Sequence, residues 1–237
     1  GINWLQIGVD STAQLIQPQV DNPRSMGKII IYGTSIQQGG CASRTGMVPS
    51  AMIQRDFNLE CVNLATSGQA RMDFYIAEAM ASIEDAICYV IDPVPNCTKD
   101  RCDTATYDFI NILRTLRPEV PIVMVEGLMY PYTRHDSYHA EYLPQKNECF
   151  RRGFDEHVAE NPKGMYYMTH EGQTGPDMEG TVDGVHLTDY GFRAYADLLE
   201  IVVKEALDDT DVDYDVEPAY NVVRKKTFWQ RLMDLFQ

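Results

Sequence analysis

The sequence predicts an α/β protein built on a parallel sheet of five strands, and two observations carry that expectation. Five short apolar runs rich in β-branched and aromatic residues punctuate the chain. Segments of helical period lie between them. Strands alternating with helices imply βαβ units, and with them parallel pairing and right-handed crossovers.

Residues 1–27, with Pro18, Asn22, Pro23 and Gly27, supply no helix of their own and read as an edge strand or the tail of an upstream domain. Lys28–Gly33 is the first strand, followed by a helix over Met47–Phe57. Glu60–Ala65 and Ala86–Asp92 are the next strands, with a helix over Met72–Glu84 between them. Thr104–Arg117 then leads to the strand Val120–Glu126, and Glu141–Glu160 to the strand Met165–Thr169. The final helix, Thr188–Leu207, places Phe192, Tyr195, Ala196, Leu199, Val202, Val203 and Ala206 at spacings of three and four, giving one apolar face. Residues 208–217 carry six acids in ten positions, a solvated linker. Beyond it Phe228, Trp229, Leu232, Met233, Leu235 and Phe236 form an amphipathic stretch beside Arg224, Lys225, Lys226 and Arg231. That stretch reads first as a helix docked on its own domain, with a partner-binding or membrane-surface role as the alternative.

At 237 residues the chain suits one sizeable α/β domain with small appendages, and no internal repeat is apparent. No apolar run approaches the ~18 residues that a membrane span needs. The net charge of −15 argues against nucleic-acid and anionic-membrane partners and favours neutral or cationic substrates. No signal peptide is legible, but Gly1-Ile2-Asn3-Trp4 reads as a cut end, so this says little about export. The six cysteines lack the paired C-x-x-C clusters of a zinc site. Cys61 and Cys88 fall inside strand-like runs and read as inert buried thiols, whereas Cys97 and Cys102, close together in a polar segment, are a disulfide candidate in an oxidising compartment.

Ser35 falls just beyond the carboxyl end of the first strand, where open α/β sheets place their ligands. Alone it would read as a turn or helix-cap residue. Its partners lie in Asp183-Gly184-Val185-His186, just before the final helix, where a short turn at Gly184 lets the carboxylate receive the imidazole Nδ1–H while Nε2 faces outward. A flavodoxin-like strand order, 2-1-3-4-5, would gather the strand ends on one rim. Gly68, after the second strand, and Asn96, after the third, lie on that rim as donors for a developing oxyanion, although each alone also reads as a turn residue.

Gly33-Thr34-Ser35, then Gly68, then Asn96, then Asp183-x-x-His186 resemble the four blocks of the SGNH (GDSL-type) hydrolases. The likeness is strongest to a bacterial branch with a small β-rich domain before the catalytic one, through the phrases Tyr32–Arg44 and Thr181–Phe192, and covers about residues 28–207. It implies a three-layer α/β/α fold with a catalytic domain over 28–207, metal-independent ester hydrolysis without a cofactor, and an exported protein. The catalytic residues it implies are Ser35, Asp183 and His186, with oxyanion donors from the Ser35 N–H, the Gly68 N–H and the Asn96 side chain. The implied substrate is a small-molecule or glycan ester, with a short acyl group such as that of an acetylated carbohydrate favoured. Thr34 stands where the first block usually has aspartate, Ala65 where the second commonly has glycine, and Pro95 precedes Asn96 where the third usually reads Gly-x-Asn.

Tyr130, Tyr132 and the stretch His135–His139 follow the fourth strand and are candidates to line the acyl or alcohol pocket. His135 and His139 also have the spacing of the zinc-protease motif H-E-x-x-H, but Asp136 replaces the required glutamate, and Pro131 and Pro144 flank the segment. A carbohydrate-binding module without turnover is the other alternative, although binding alone needs no serine, histidine and acid together.

Overall fold

The computed structural model describes residues 3–16 and 26–212. Five parallel strands, β1 (Lys28–Gly33), β2 (Glu60–Asn63), β3 (Ala86–Asp92), β4 (Ile122–Val125) and β5 (Met165–Met168), run in the order β2-β1-β3-β4-β5. Among the described residues, six α-helices accompany them: α1 (Ser35–Gln38), α2 (Pro49–Phe57), α3 (Phe74–Ala81), α4 (Lys99–Leu116), α5 (Ser137–Glu160) and α6 (Asp189–Asp208).

Strand pleating divides the core. Ile29, Ile31, Val90, Val123 and Val125 face one side with Phe57, Phe192, Tyr195 and Leu199 of α2 and α6. Ile30, Tyr32, Tyr89, Ile91 and Met124 face the other, against Met80 of α3, Phe109 and Leu113 of α4 and Phe150 of α5. The protein is thus a three-layer α/β/α sandwich, which is why its strands read as continuous apolar runs.

Element ends differ from the sequence expectation for local reasons. The second long helix starts at Phe74, because Met72 adopts φ +57°, outside the helical region. α4 starts at Lys99, earlier than its apolar periodicity suggests, since the Thr98 side chain accepts the Arg101 N–H and caps the helix at a polar turn. α5 starts at Ser137 and carries Pro144 inside it. Asp136 caps it by accepting the His139 N–H, and the Ala140 carbonyl that Pro144 leaves without an amide partner lies on an exposed residue that water can reach.

Residues 3–16 form neither helix nor strand, and the edges of the described sheet are β2 and β5. The edge-strand expectation for the amino-terminal segment is therefore not met there, and Trp4, Leu5 and Ile7 are exposed. Pro18, Asn22 and Pro23, half of the acidic run and the amphipathic stretch 228–236 lie outside the described residues. No helix among the described residues is long and apolar enough to cross a membrane.

Candidate active site

Ser35 is the first residue of α1, directly after β1. Thr34 is the cap, its hydroxyl accepting the Ile36 N–H at 3.3 Å, and Gly39 ends the helix in the left-handed region. Thr34 thus has a structural task at the position that departs from the usual aspartate. Two residues on, the fully buried Gln37 donates from Nε2 to Tyr195 OH (2.7 Å) and Asp92 Oδ2 (3.1 Å), and Tyr195 OH donates to the same carboxylate oxygen (2.8 Å). A side chain on Gly33 would collide with this arrangement, its Cβ falling 2.4 Å from Gln37 Cγ. The buried triad of Gln37, Asp92 and Tyr195 ties α1 to the end of β3 and to α6, and so fixes the turn that displays Ser35. Burial pushes the Asp92 carboxyl up to about 7 despite the two hydrogen bonds it accepts.

The turn Asp183–His186 brings the other half of the site. Asp183 Oδ1 accepts the Val185 N–H (2.9 Å) and the His186 N–H (2.8 Å), while Oδ2 meets His186 Nδ1 at 2.7 Å. Gly184, at φ +89°, makes the reversal, and Tyr132 lies so close that a Cβ there would stand 2.8 Å from its Cδ1. The bond to the His186 ring, followed by the two backbone bonds, holds the Asp183 carboxyl well below the usual carboxylate range. His186 Nε2 then reaches Ser35 Oγ at 2.8 Å. The structure therefore joins Ser35, His186 and Asp183 in one hydrogen-bonded line.

Gly68 and Asn96 lie on the same rim, after β2 and β3. Gly68 occupies a turn at φ +71°, with open space where a side chain would project. Asn63 secures the turn's entry, donating to Gln37 O (2.8 Å) and Ser50 Oγ (2.9 Å) and accepting the Ala65 N–H (2.9 Å). Neither the Gly68 N–H nor the Ser35 N–H donates to a protein acceptor among the described residues. Asn96 closes a 3₁₀ turn, Val94–Asn96, that replaces the usual glycine-containing block. Its Oδ1 is buried without a hydrogen-bond partner, an arrangement worth explaining at about 1–3 kcal/mol.

His135 and His139 straddle the start of α5 instead of sharing one helix face. Asp136, where the zinc motif needs its glutamate, caps the helix and bonds His139 Nδ1 at 2.6 Å. Among the described residues the group that could hold a metal ion is Glu126, His170 and Glu171, whose ligand atoms lie within 4.8 Å of one another. Glu126 Oε2 already meets His170 Nδ1 (2.7 Å) and accepts its N–H (3.0 Å), clasping the ends of β4 and β5. Cys97 and Cys102 are both buried and both free thiols, and burial pushes the Cys88 thiol up to about 12. A cavity of about 390 Å³ lies at the opposite end of the sheet, beside Arg114, Lys163 and Asp209, away from this site.

Sequence reading missed the Gln37, Asp92 and Tyr195 arrangement. Its one signal was Asp92, an acid ending a strand that is otherwise apolar.

Comparison with known proteins finds a matching family model and similar folds. A GDSL-like lipase candidate from Bacteroides ovatus has a similar structure, with a TM-score of 0.73 and 31% identity over 77% of this chain and 54% of that one. This chain thus spans about half of that protein's length. A family two carbohydrate esterase from Clostridium thermocellum, solved with cellohexaose, has a TM-score of 0.59 at 16% identity, covering 78% of this chain and 65% of that one. A carbohydrate acetylesterase family member from Sinorhizobium meliloti has a TM-score of 0.53 at 15% identity, covering 77% and 99%. These last two show the shared fold. A search of the curated proteins finds no match. Residues 26–204 match the model of the GDSL-like lipase/acylhydrolase family, and the chain belongs to that family.

Proposed function

We propose that the protein is a serine esterase that hydrolyses a short-acyl ester through an acyl-enzyme on Ser35. The observation that carries this reading is the unbroken line from Ser35 Oγ through His186 to Asp183, at 2.8 and 2.7 Å. His186 takes the Ser35 proton at Nε2 as Oγ attacks the ester carbonyl, and Asp183 holds the ring through Nδ1. The carbonyl oxygen gains negative charge facing the Ser35 and Gly68 N–H groups and the Asn96 amide. His186 passes its proton to the leaving alcohol. Water then attacks the acyl-enzyme, with His186 again as base, releasing the acid and restoring Ser35.

The unpartnered backbone N–H groups support the oxyanion role, because fixed donors need no reorganisation as charge develops. The position of Asn96 on the same rim supports the assignment of its side-chain amide as a third donor. An acetylated carbohydrate is the substrate class we favour, on the family resemblance and the acidic surface. By the same resemblance we infer an exported protein with its catalytic domain over 28–207, a preceding segment that is an extension or the tail of an upstream β-rich domain, and a carboxyl-terminal appendage.

A panel of acetyl, butyryl and longer p-nitrophenyl esters with acetylated glycans tests the reading. Turnover that falls with acyl length and survives a chelator is expected. Hydrolysis of none of these esters by the folded protein would overturn it, and loss on chelation restored by zinc would overturn its metal independence.

A further inference from the structure

We propose that the exposed ring of Tyr138 is a subsite for a neutral pyranose ring, placed to hold the alcohol half of a saccharide ester whose acyl group lies at Ser35. This rests on the esterase reading above and names the substrate's leaving group.

A row of rings leads outward from the candidate active site. Tyr132 lies against Gly184, in the turn that carries Asp183 and His186. His139 meets Tyr132 edge-on, with centroids 5.5 Å apart and planes at 90°. Tyr138 meets His139 edge-on at 5.1 Å and stacks on Tyr142 at 5.4 Å with planes 13° apart. Tyr142 stacks on Tyr138 and His139 packs against it, and the residue is still 64% exposed.

A single exposed tyrosine is ordinary on a protein surface. This one is braced by two neighbouring rings and still largely exposed. Asp136 holds the row in place, accepting the His139 N–H at 3.2 Å and pairing with its Nδ1 at 2.6 Å. A rigid tyrosine ring offers a large contact area with little side-chain entropy left to lose on binding.

The chemistry favours a sugar. The negative face of an aromatic ring attracts the positively polarised C–H groups on one face of a pyranose, while the sugar hydroxyls stay in water around the ring edge. An alkyl chain instead demands an enclosed apolar pocket, which an open ring does not supply. The carboxylates of Asp136 and Asp183 flank the row and the chain carries a net charge of −15, so an uncharged sugar fits better than a uronate or sulfated one.

Two measurements test the subsite. First, the Ser35→Ala protein is titrated with unacetylated cello- and xylo-oligosaccharides while the His139 imidazole resonances are followed. A saturable shift that disappears in Ser35→Ala/Tyr138→Ala and persists in Ser35→Ala/Tyr138→Phe is expected, and no shift with either sugar series overturns the proposal. Second, KM and kcat are compared for an acetylated oligosaccharide and for ethyl acetate. Tyr138→Ala is expected to raise the oligosaccharide KM ~3- to 10-fold, the range of one ring-stacking contact, with kcat little changed and Tyr138→Phe near wild type. An equal loss on both substrates overturns the saccharide assignment. Failure to cleave any ester would remove the esterase reading, and the titration still decides whether the sugar site exists.

Discussion

Ser35 Oγ and His186 Nε2 stand 2.8 Å apart although 151 positions separate them in the chain. The contact depends on two strand-end loops meeting on one rim, and each loop is fixed from beneath: α1 by the buried Gln37, Asp92 and Tyr195, the His186 turn by Asp183 and Tyr132. Both loops are thus held before any substrate arrives, which electrostatic preorganisation requires.

Replacing Ser35 by alanine removes the attacking oxygen and one hydrogen bond at a half-buried position. Ester hydrolysis should fall by ~10⁴-fold or more, while the thermal midpoint stays close to wild type. Rates on ethyl acetate with circular-dichroism melts check this, and a folded variant with wild-type turnover would remove the esterase reading.

Asp183→Asn should keep the fold and lower kcat/KM by ~10²- to 10⁴-fold, since asparagine cannot stabilise the imidazolium and favours the wrong tautomer. The Asp183 carboxyl is held low by its bonds to His186 and Val185, so it stays ionised through the working pH range and adds no limb of its own. If the pH profile and rate of Asp183→Asn match wild type, the site reduces to a Ser35 and His186 pair.

Asn96→Ala should reduce kcat by ~10²- to 10³-fold with a smaller effect on KM, as loss of one oxyanion donor does. Because Asn96 Oδ1 is buried without a partner, the same change should cost little stability. Steady-state kinetics beside urea unfolding separate the two effects. A kcat that does not change removes Asn96 from the oxyanion site.

Asp92 gives the stability a pH dependence of stated sign. Burial raises its folded-state pKa to about 7, above the ~3.9 of an unfolded aspartate, so the native state holds the proton more tightly. Its stabilising contribution is complete below the unfolded value and is lost as pH rises through about 7. Asp92→Asn keeps a neutral side chain of the same shape, so its stability relative to wild type should increase between about pH 4 and 7 and level off above. Parallel urea titrations across that range provide the test, and a constant difference would show that Asp92 does not titrate on unfolding.

Gly184→Ala forces a side chain into the left-handed region and against Tyr132. It should destabilise the fold by about 1–3 kcal/mol. The turnover loss should exceed what the fall in folded fraction explains, because the same turn aims His186 at Ser35. Turnover corrected for folded protein distinguishes a displaced histidine from simple unfolding.

The sequence by itself determined the five strands, their alternation with helices and the spacing of Asp183 to His186, because these are local: apolar runs mark doubly buried strands, and a three-residue turn closes on itself. It also placed Ser35, Gly68 and Asn96 at strand ends, and a parallel sheet puts such ends on one rim. Only the tertiary structure decided that the Ser35 and His186 loops meet at hydrogen-bond distance and that Gln37 and Tyr195 converge on Asp92 from helices 158 positions apart. It also decided that His139 serves Asp136 and a row of rings. Those arrangements depend on strand order and helix packing, where contacts between distant residues compete, and no local spacing encodes which of them forms. The starts of α4 and α5 escaped the sequence reading for a local reason: side-chain caps at Thr98 and Asp136 began them in polar segments with no apolar period to announce a helix.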